Sequence, residues 1–362
     1  MFVFFALSGF LITALAIDEV AAHGALDLKA FFQRRARRLL PALALFLSLW
    51  LLVDALFGHD PWMTTVPGGG RGGPKPFATA IEGVLAAAVY VLNWAVIEHA
   101  FTHYLAIAHL WSLSVEEQFY LAWAPLVALV LPRRRWLLVA TGLFLAVASL
   151  AEVPLLWHHG HGSLRIYMGT DTRAAAFLLG GVAAVAWSYG DSRLLARRRS
   201  ASVVFGLSAG LLLWVASPLA APGSPLVPAS ALAAYLLTWI IATMASVGVV
   251  VASASLTTQL PARALGSAPL RYVGTRSYAL YLWHYPWLTW LRGDGTLGIL
   301  LALVLSFACA ELSRRLVESS ALHWIRIDRS RASHVPKHPA RASTPPRTDL
   351  IVSSTPRPPG SS

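Results

Sequence analysis

His109-Leu110-Trp111-Ser112-Leu113-Ser114-Val115-Glu116-Glu117-Gln118-Phe119-Tyr120 runs directly into the apolar stretch Leu121 to Leu131. A His, two Ser, two Glu and a Gln thus stand at the mouth of a hydrocarbon-like segment. Carboxylates at such an edge are costly to desolvate, so they are usually paired or functional. A structural alternative covers part of this stretch. Ser114 and Glu117 fit a capping box, in which each side chain satisfies the other residue's backbone N–H at a helix start. That accounts for Glu117 and leaves Glu116, Gln118, Trp111 and His109 to be explained.

Working outward, the whole chain has the same character. Hydrophobic residues make up 56% and charged residues 13%, against about 25% charged in a soluble globular protein. The mean hydropathy is +0.60. Several apolar runs approach the roughly 20 residues that cross a bilayer. The reading is an all-α, polytopic integral membrane protein. The runs are continuous rather than alternating, which argues against a β-barrel. The single cysteine, Cys309, excludes an internal disulfide and a cysteine-based metal site, and no metal site is expected. The net charge of +12 does not point to nucleic acid, because Lys and Arg cluster in short loops and the tail, as membrane topology produces.

In chain order, the expected spans start with the short apolar helix Met1 to Ile17, where Ser8-Gly9 permits close helix approach. It carries no basic leader or small-residue cleavage site, so it does not read as a signal peptide. Asp18 to Arg38 reads as a polar loop ending in Gln33-Arg34-Arg35-Ala36-Arg37-Arg38. Leu39 to Phe57 follows, then a Gly/Pro-rich loop to Pro76. Phe77 to Ile97 is apolar but carries Glu82 and Asn93. Further spans are expected at 113–131, 136–156, 174–188, 203–217, 229–251, 277–291 and 296–312. Residues 1–325 form the membrane domain. Residues 326–362 form a basic Ser/Pro-rich tail expected to be disordered and cytoplasmic.

Counting basic residues selects a topology. If 77–97 dips in and returns, almost all of the 29 Lys and Arg fall on one side, leaving only Arg71, Lys75, Arg165, Arg173 and Arg292 on the other. This predicts about nine transmembrane helices plus one re-entrant segment in the plasma (inner) membrane, with the C-terminus cytoplasmic. Glu82 and Asn93 then face protein or water. The 109–120 stretch lies near the outer face and Arg34, Arg35, Arg37 and Arg38 near the inner face. Those arginines serve either topology and anionic lipid or the phosphates of a cytosolic cofactor, which Arg binds in bidentate fashion.

Two further groups stand out. Asp171-Thr172-Arg173 opens the 174–188 helix. Asp171 either caps it while Arg173 snorkels, or the two form an ion pair over an outer cavity. In Tyr278-Ala279-Leu280-Tyr281-Leu282-Trp283-His284-Tyr285-Pro286, Tyr281 and His284 share a helix face at i, i+3. A lone His on an apolar face is more often a hydrogen-bonded core residue, yet intramembrane ionisable groups default to a functional reading.

Four segments, in order, resemble the membrane-bound acyltransferase 3 family, O-acyltransferases of surface polysaccharide, peptidoglycan and macrolides. They are Phe4-Phe5-Ala6-Leu7-Ser8-Gly9-Phe10-Leu11-Ile12-Thr13, the run Phe32 to Ala42, the run Trp111 to Tyr120, and Ser277 to Pro286. Asp171-Thr172-Arg173 with Leu178-Leu179-Gly180 is a weaker fifth. Glu318 stands where the family often ends in Glu-Arg-Pro, but Ser319 and Ser320 follow. The resemblance implies transfer of an acyl group, commonly acetyl from acetyl-CoA in the cytoplasm, to a hydroxyl on an extracytoplasmic glycan or lipid-linked sugar. It places the family's catalytic His on a first helix that precedes the family's counterpart of Met1, so that base is expected outside this sequence. Glu116 and Glu117, with His109, then hold supporting catalytic roles. Arg34, Arg35, Arg37 and Arg38 hold the CoA phosphates. Trp111, Ser112, Ser114, Gln118, Asp171, Arg173, Tyr281 and His284 are substrate or structural candidates. Acyl-CoA is a co-substrate rather than a resident cofactor. The expected partners are the bilayer, the acceptor and a separate extracytoplasmic transferase for any second step. Two other readings remain: a non-catalytic relative that binds an acyl carrier or glycan lipid, and a transporter or flippase.

Overall fold

A computed structural model describes residues 1–57, 77–98, 105–160, 163–189, 198–220, 231–256, 260–291 and 295–318. The tail from 326 onward lies outside them. The described residues are helical throughout, with no strand among them. In chain order the helices are α1 Phe2–His23, α2 Leu28–Phe57, α3 Phe77–Ala88, α4 Leu92–Ile97, α5 Leu105–Ala108, α6 Trp111–Val130, α7 Arg135–His158, α8 Ser163–Met168 and α9 Thr170–Tyr189. Then come α10 Arg198–Val215, α11 Ala231–Ser255, α12 Leu260–Leu265, α13 Ala268–Gly274, α14 Ser277–Leu291 and α15 Gly295–Ser313.

Among the described residues, five helices are long and apolar enough to cross a membrane by themselves: α1, α2, α7, α11 and α15. The count of nine expected from the sequence is not reached on that criterion. The physical reason is visible in α6 and α9. Each has 20 residues, long enough at 1.5 Å per residue to cover about 30 Å. Glu116, Glu117 and Gln118 in one, and Asp171 and Arg173 in the other, dilute their apolar character. The 77–97 segment is two helices, broken where Tyr90 takes a positive φ of 59°.

The polar loop expected at Asp18 to Arg38 is instead mostly helix. α1 continues to His23 and stops at Gly24, whose φ of 79° is left-handed and whose N–H donates to Val20 O. Asp27 then caps α2, its Oδ1 accepting from Ala30 N at 2.9 Å. Glu19 ties the turn, accepting from Asp27 N at 3.0 Å and from Arg34 at 2.8 Å. Local capping thus outweighs polarity, and Arg34, Arg35, Arg37 and Arg38 ride on one rigid helix.

The close approach expected of Ser8-Gly9 is made against α9. A Cβ on Gly9 would collide with the backbone of Phe177, and one on Gly180 with the backbone of Ala6. Small residues therefore let α1 and α9 touch main chain to main chain. Beside this seam Phe5 stacks on Phe177 with centroids 4.4 Å apart, and Phe119 stacks on Phe177 at 4.5 Å. Trp123 continues the stack and donates to Thr13 Oγ1 at 2.9 Å. This packing fixes the first turns of α6 against α1 and α9.

Candidate functional site

The acidic pair of the 109–120 stretch lies inside this packing. Glu116 is 4% and Glu117 9% exposed. Burying carboxylates in apolar surroundings demands compensation, and α2 supplies it. Arg35 Nη2 lies 3.1 Å from Glu117 Oε1 and 3.6 Å from Glu116 Oε1. Its guanidinium sits 3.6 Å from the centre of the Tyr120 ring. Glu116 Oε1 also accepts from Ser8 Oγ at 2.8 Å and from the Tyr120 hydroxyl. Three helices, α1, α2 and α6, thus converge on two carboxylates.

This geometry corrects two expectations. The capping box is not formed: α6 begins at Trp111, Ser114 Oγ turns back to Leu110 O at 3.3 Å, and Glu117 binds Arg35. The basic cluster and the acidic stretch are also not segregated to opposite faces. Arg35 lies seven residues into α2 and Glu117 six into α6, each about 10 Å from its helix start at 1.5 Å per residue. Of the four arginines, Arg34 pairs with Glu19 and Arg35 with the acidic pair. Arg37 and Arg38 are exposed.

Gln118, next on α6, organises a second group. Its Oε1 accepts from Trp94 Nε1 at 3.0 Å and Thr170 Oγ1 at 2.6 Å; its Nε2 donates to Tyr90 O at 2.6 Å and Asn93 Oδ1 at 2.9 Å. Asn93 donates onward to Thr170 Oγ1 at 3.0 Å and Met168 O at 3.2 Å. The kink at Tyr90 frees the carbonyl that Gln118 uses. The amide therefore locks α4, α6 and the α8–α9 junction together, with both its donor and acceptor ends filled.

His109, Ser112, Tyr281 and His284 form a third group. The Tyr281 hydroxyl bonds Ser112 Oγ at 2.8 Å and donates to His109 O. The His109 ring lies 5.6 Å from that of His284, 5.3 Å from Tyr281 and stacks on Tyr285 at 4.9 Å. His284 Nδ1 faces Tyr281 O at 2.8 Å. The structure thus brings the 109–112 corner and the 281–285 helix face together, and it seats His109 here rather than against Glu116 or Glu117.

Asp171 and Arg173 do not pair. Asp171 accepts two bonds from Arg165, Oδ1 from Nη1 at 2.8 Å and Oδ2 from Nη2 at 2.5 Å, with Glu152 3.3 Å from the same guanidinium. Burial alone would push the Asp171 carboxyl up. The Arg165 guanidinium and the Thr172 N–H outweigh it and hold the carboxyl below its ordinary value. The same hydrogen bonds hold Arg165 above its ordinary value. Arg173 does not snorkel either: it is 2% exposed, with its guanidinium 3.9 Å from the Trp239 ring centre and 4.4 Å from that of Tyr167. Trp111 lines the same enclosure, 5.2 Å from Tyr167.

Sequence reasoning missed Ser8, Tyr120 and Arg165 as site members. Ser8 and Arg165 have no local partner that marks them. Tyr120 carries one signal, its i, i+4 spacing from Glu116 on the same helix.

The chain is 29% identical over 334 residues to the peptidoglycan O-acetyltransferase OatA of Listeria monocytogenes, covering 88% of this chain and 50% of that protein. It is 28% identical over 330 residues to the O-acetyltransferase OatA of Staphylococcus aureus, covering 87% and 51%. It spans about half the length of the curated relatives it matches. No solved structure matches it. The acyltransferase domain model known as acyltransferase 3 matches residues 1–311, a range that holds all of these polar groups, and the chain belongs to this family.

Proposed function

We propose that the chain is the membrane-embedded part of an O-acetyltransferase that takes an acetyl group from cytosolic acetyl-CoA and delivers it to a hydroxyl of an extracytoplasmic glycan, with peptidoglycan the first acceptor to test. The observation that carries this reading is the buried Arg35–Glu116–Glu117–Tyr120 cluster. An apolar bundle with no polar chemistry to perform gains nothing from two buried carboxylates that apolar residues could replace. Family membership and the names of the two relatives support the acetyl group and the glycan.

The chemistry needs a base. A hydroxyl is a weak nucleophile, so a neutral imidazole accepts its proton as the oxygen attacks the thioester carbonyl, and the thiolate leaves with CoA. Among the described residues His109 and His284 are the imidazoles closest to the polar corner at Ser112 and Tyr281. The cluster around Arg35 fixes the start of α6, and so the position of that corner. Arg37 and Arg38, exposed on α2, are placed in this reading to meet phosphate. The multi-pass arrangement in the plasma membrane with a cytoplasmic C-terminus, and a separate extracytoplasmic domain or protein for the final transfer, belong to the same proposal.

The test is O-acetylation in a bacterial host whose peptidoglycan carries none. The chain is expressed with and without a separately supplied extracytoplasmic transferase domain. Membrane insertion is verified, and base-labile acetate released from purified sacculi is quantified. Acetate above the empty-vector level supports the reading. Its absence, with inserted protein and across a panel of glycan acceptors in acetyl-CoA-loaded proteoliposomes, overturns it in favour of a non-catalytic relative.

A further inference from the structure

Arg173 is a buried cation whose counter-anion is not supplied by the described residues. No carboxylate among them lies within ion-pairing distance. Its one hydrogen bond there runs from Nε to Tyr167 O at 2.6 Å. The acidic neighbour in sequence, Asp171, is already committed to Arg165. The faces of Trp239, Tyr167 and Phe2 surround the guanidinium at 3.9, 4.4 and 5.0 Å. Such rings attract a cation but offer no acceptor to its Nη donors, for which no hydrogen bond is formed among the described residues.

A second unsatisfied group stands next to it. The Tyr235 hydroxyl is buried with no hydrogen-bond partner. Its ring packs on Trp239 with centroids 4.8 Å apart, so it borders the aromatic enclosure of Arg173. Tyr235 also lines a cavity of about 320 Å³ together with Trp157, Ile166, Ala234 and Thr238. That volume falls at the small end of the range for ligand pockets, about 300–1,000 Å³. Thr238 turns its hydroxyl to Ala234 O at 2.9 Å, so the wall offers mainly hydrocarbon apart from Tyr235. The cavity sits where α7 ends, α8 crosses and α11 begins.

We propose that this is a binding site for an anionic amphiphile, whose phosphate or carboxylate head is held by Arg173 and the Tyr235 hydroxyl while its apolar chain enters the cavity between α7, α8 and α11. An anion satisfies both orphaned groups at once, and Arg presents the donor fork that such heads match. The cavity accounts for the chain. The inference rests on these groups and not on acyl transfer.

The test is binding to the full chain, purified in a neutral detergent and stripped of lipid. The probes are dodecyl phosphate, dodecanoate, the zwitterionic dodecylphosphocholine and inorganic phosphate. Saturable binding is expected for at least one of the two anionic twelve-carbon probes, at least tenfold tighter than for either other probe. Arg173→Gln should weaken it tenfold or more, and Thr238→Leu, which intrudes on the cavity and leaves the charge in place, should do likewise. If Arg173→Gln fails to fold, Thr238→Leu and Tyr235→Phe decide the matter. Equal binding of the zwitterionic probe, equal binding of inorganic phosphate, or unchanged affinity in the folded variants would overturn the proposal. Geranylgeranyl phosphate set against dioleoyl phosphatidylglycerol distinguishes a prenyl phosphate from a bilayer lipid as the source. Failure of both overturns the site, whatever the outcome for O-acetylation.

Discussion

Removing the guanidinium of Arg35 should be far more harmful than removing the whole charged cluster. Arg35 is the partner of Glu117 at 3.1 Å and a neighbour of Glu116 at 3.6 Å. In Arg35→Gln, Glu116 keeps Ser8 and Tyr120, but Glu117 loses its ion pair in a site only 9% exposed. Breaking a buried pair from one side costs about 3–5 kcal/mol. The Arg35 side chain is 22% exposed, and water there screens part of the effect, so the lower end, about 3 kcal/mol, is expected. Replacing a complete buried ionic group with neutral residues is often nearly neutral. The triple variant Arg35→Gln, Glu116→Gln, Glu117→Gln should therefore recover most of the loss while remaining inactive. The assay is thermal unfolding of detergent-solubilised protein, followed by loss of the monodisperse chromatographic peak after heating. At roughly 2–4 °C per kcal/mol for a chain of a few hundred residues, Arg35→Gln should melt about 6–12 °C below the parent, with the triple variant close to it. A single variant as stable as the parent would refute the reasoning, as would a triple variant less stable than the single one, because either result means that Arg35 does not compensate the carboxylates.

The remaining predictions concern packing and the two other polar groups. Gly180→Ala puts a methyl group into the backbone of Ala6 and should cost about 1–3 kcal/mol by overpacking. Gly206→Ala, which meets nothing within 4 Å, should be neutral or stabilising by up to about 1 kcal/mol; equal melting temperatures for the two variants would exclude the α1–α9 close approach. Gln118→Leu strands the Tyr90 carbonyl and the Asn93 amide, at about 1–3 kcal/mol for each buried group left unmade, and should raise proteolysis of the α3–α4 segment. Tyr281→Phe removes the bonds to Ser112 and to the His109 carbonyl. In the sacculus assay it should lower acetate at least tenfold with normal insertion, whereas wild-type acetate would remove the corner from the mechanism.

What was legible in the sequence was whatever local pattern controls. Apolar runs gave the helices and their approximate bounds, and Ser8-Gly9 marked a seam because a missing Cβ has the same meaning wherever the partner lies. The i, i+3 spacing of Tyr281 and His284 correctly put both on one face. What was not legible was which distant residues meet. The four arginines read alike, yet one faces Glu19 on its helical neighbour, one is inserted between carboxylates 81 and 82 positions away, and two face outward. Helix phase explains the split. Successive residues of α2 advance 100° about the axis, at 3.6 residues per turn, so the adjacent Arg34 and Arg35 point in different directions and meet different partners. Asp171 and Arg173 fail as a pair for the same reason. Two residues apart on a helix they point away from each other, whereas pairs three or four apart face one another. The carboxylate that α9 could not provide to Arg173 is missing from the described residues altogether. That absence separates Arg173 from Arg35. The carboxylates that hold Arg35 are encoded in the chain: its Nη2 faces Glu117 and Glu116, and only its Nε is buried without an acceptor. Arg173 has one backbone acceptor, Tyr167 O, within aromatic rings that attract a cation, and the anion proposed for it lies outside the described residues.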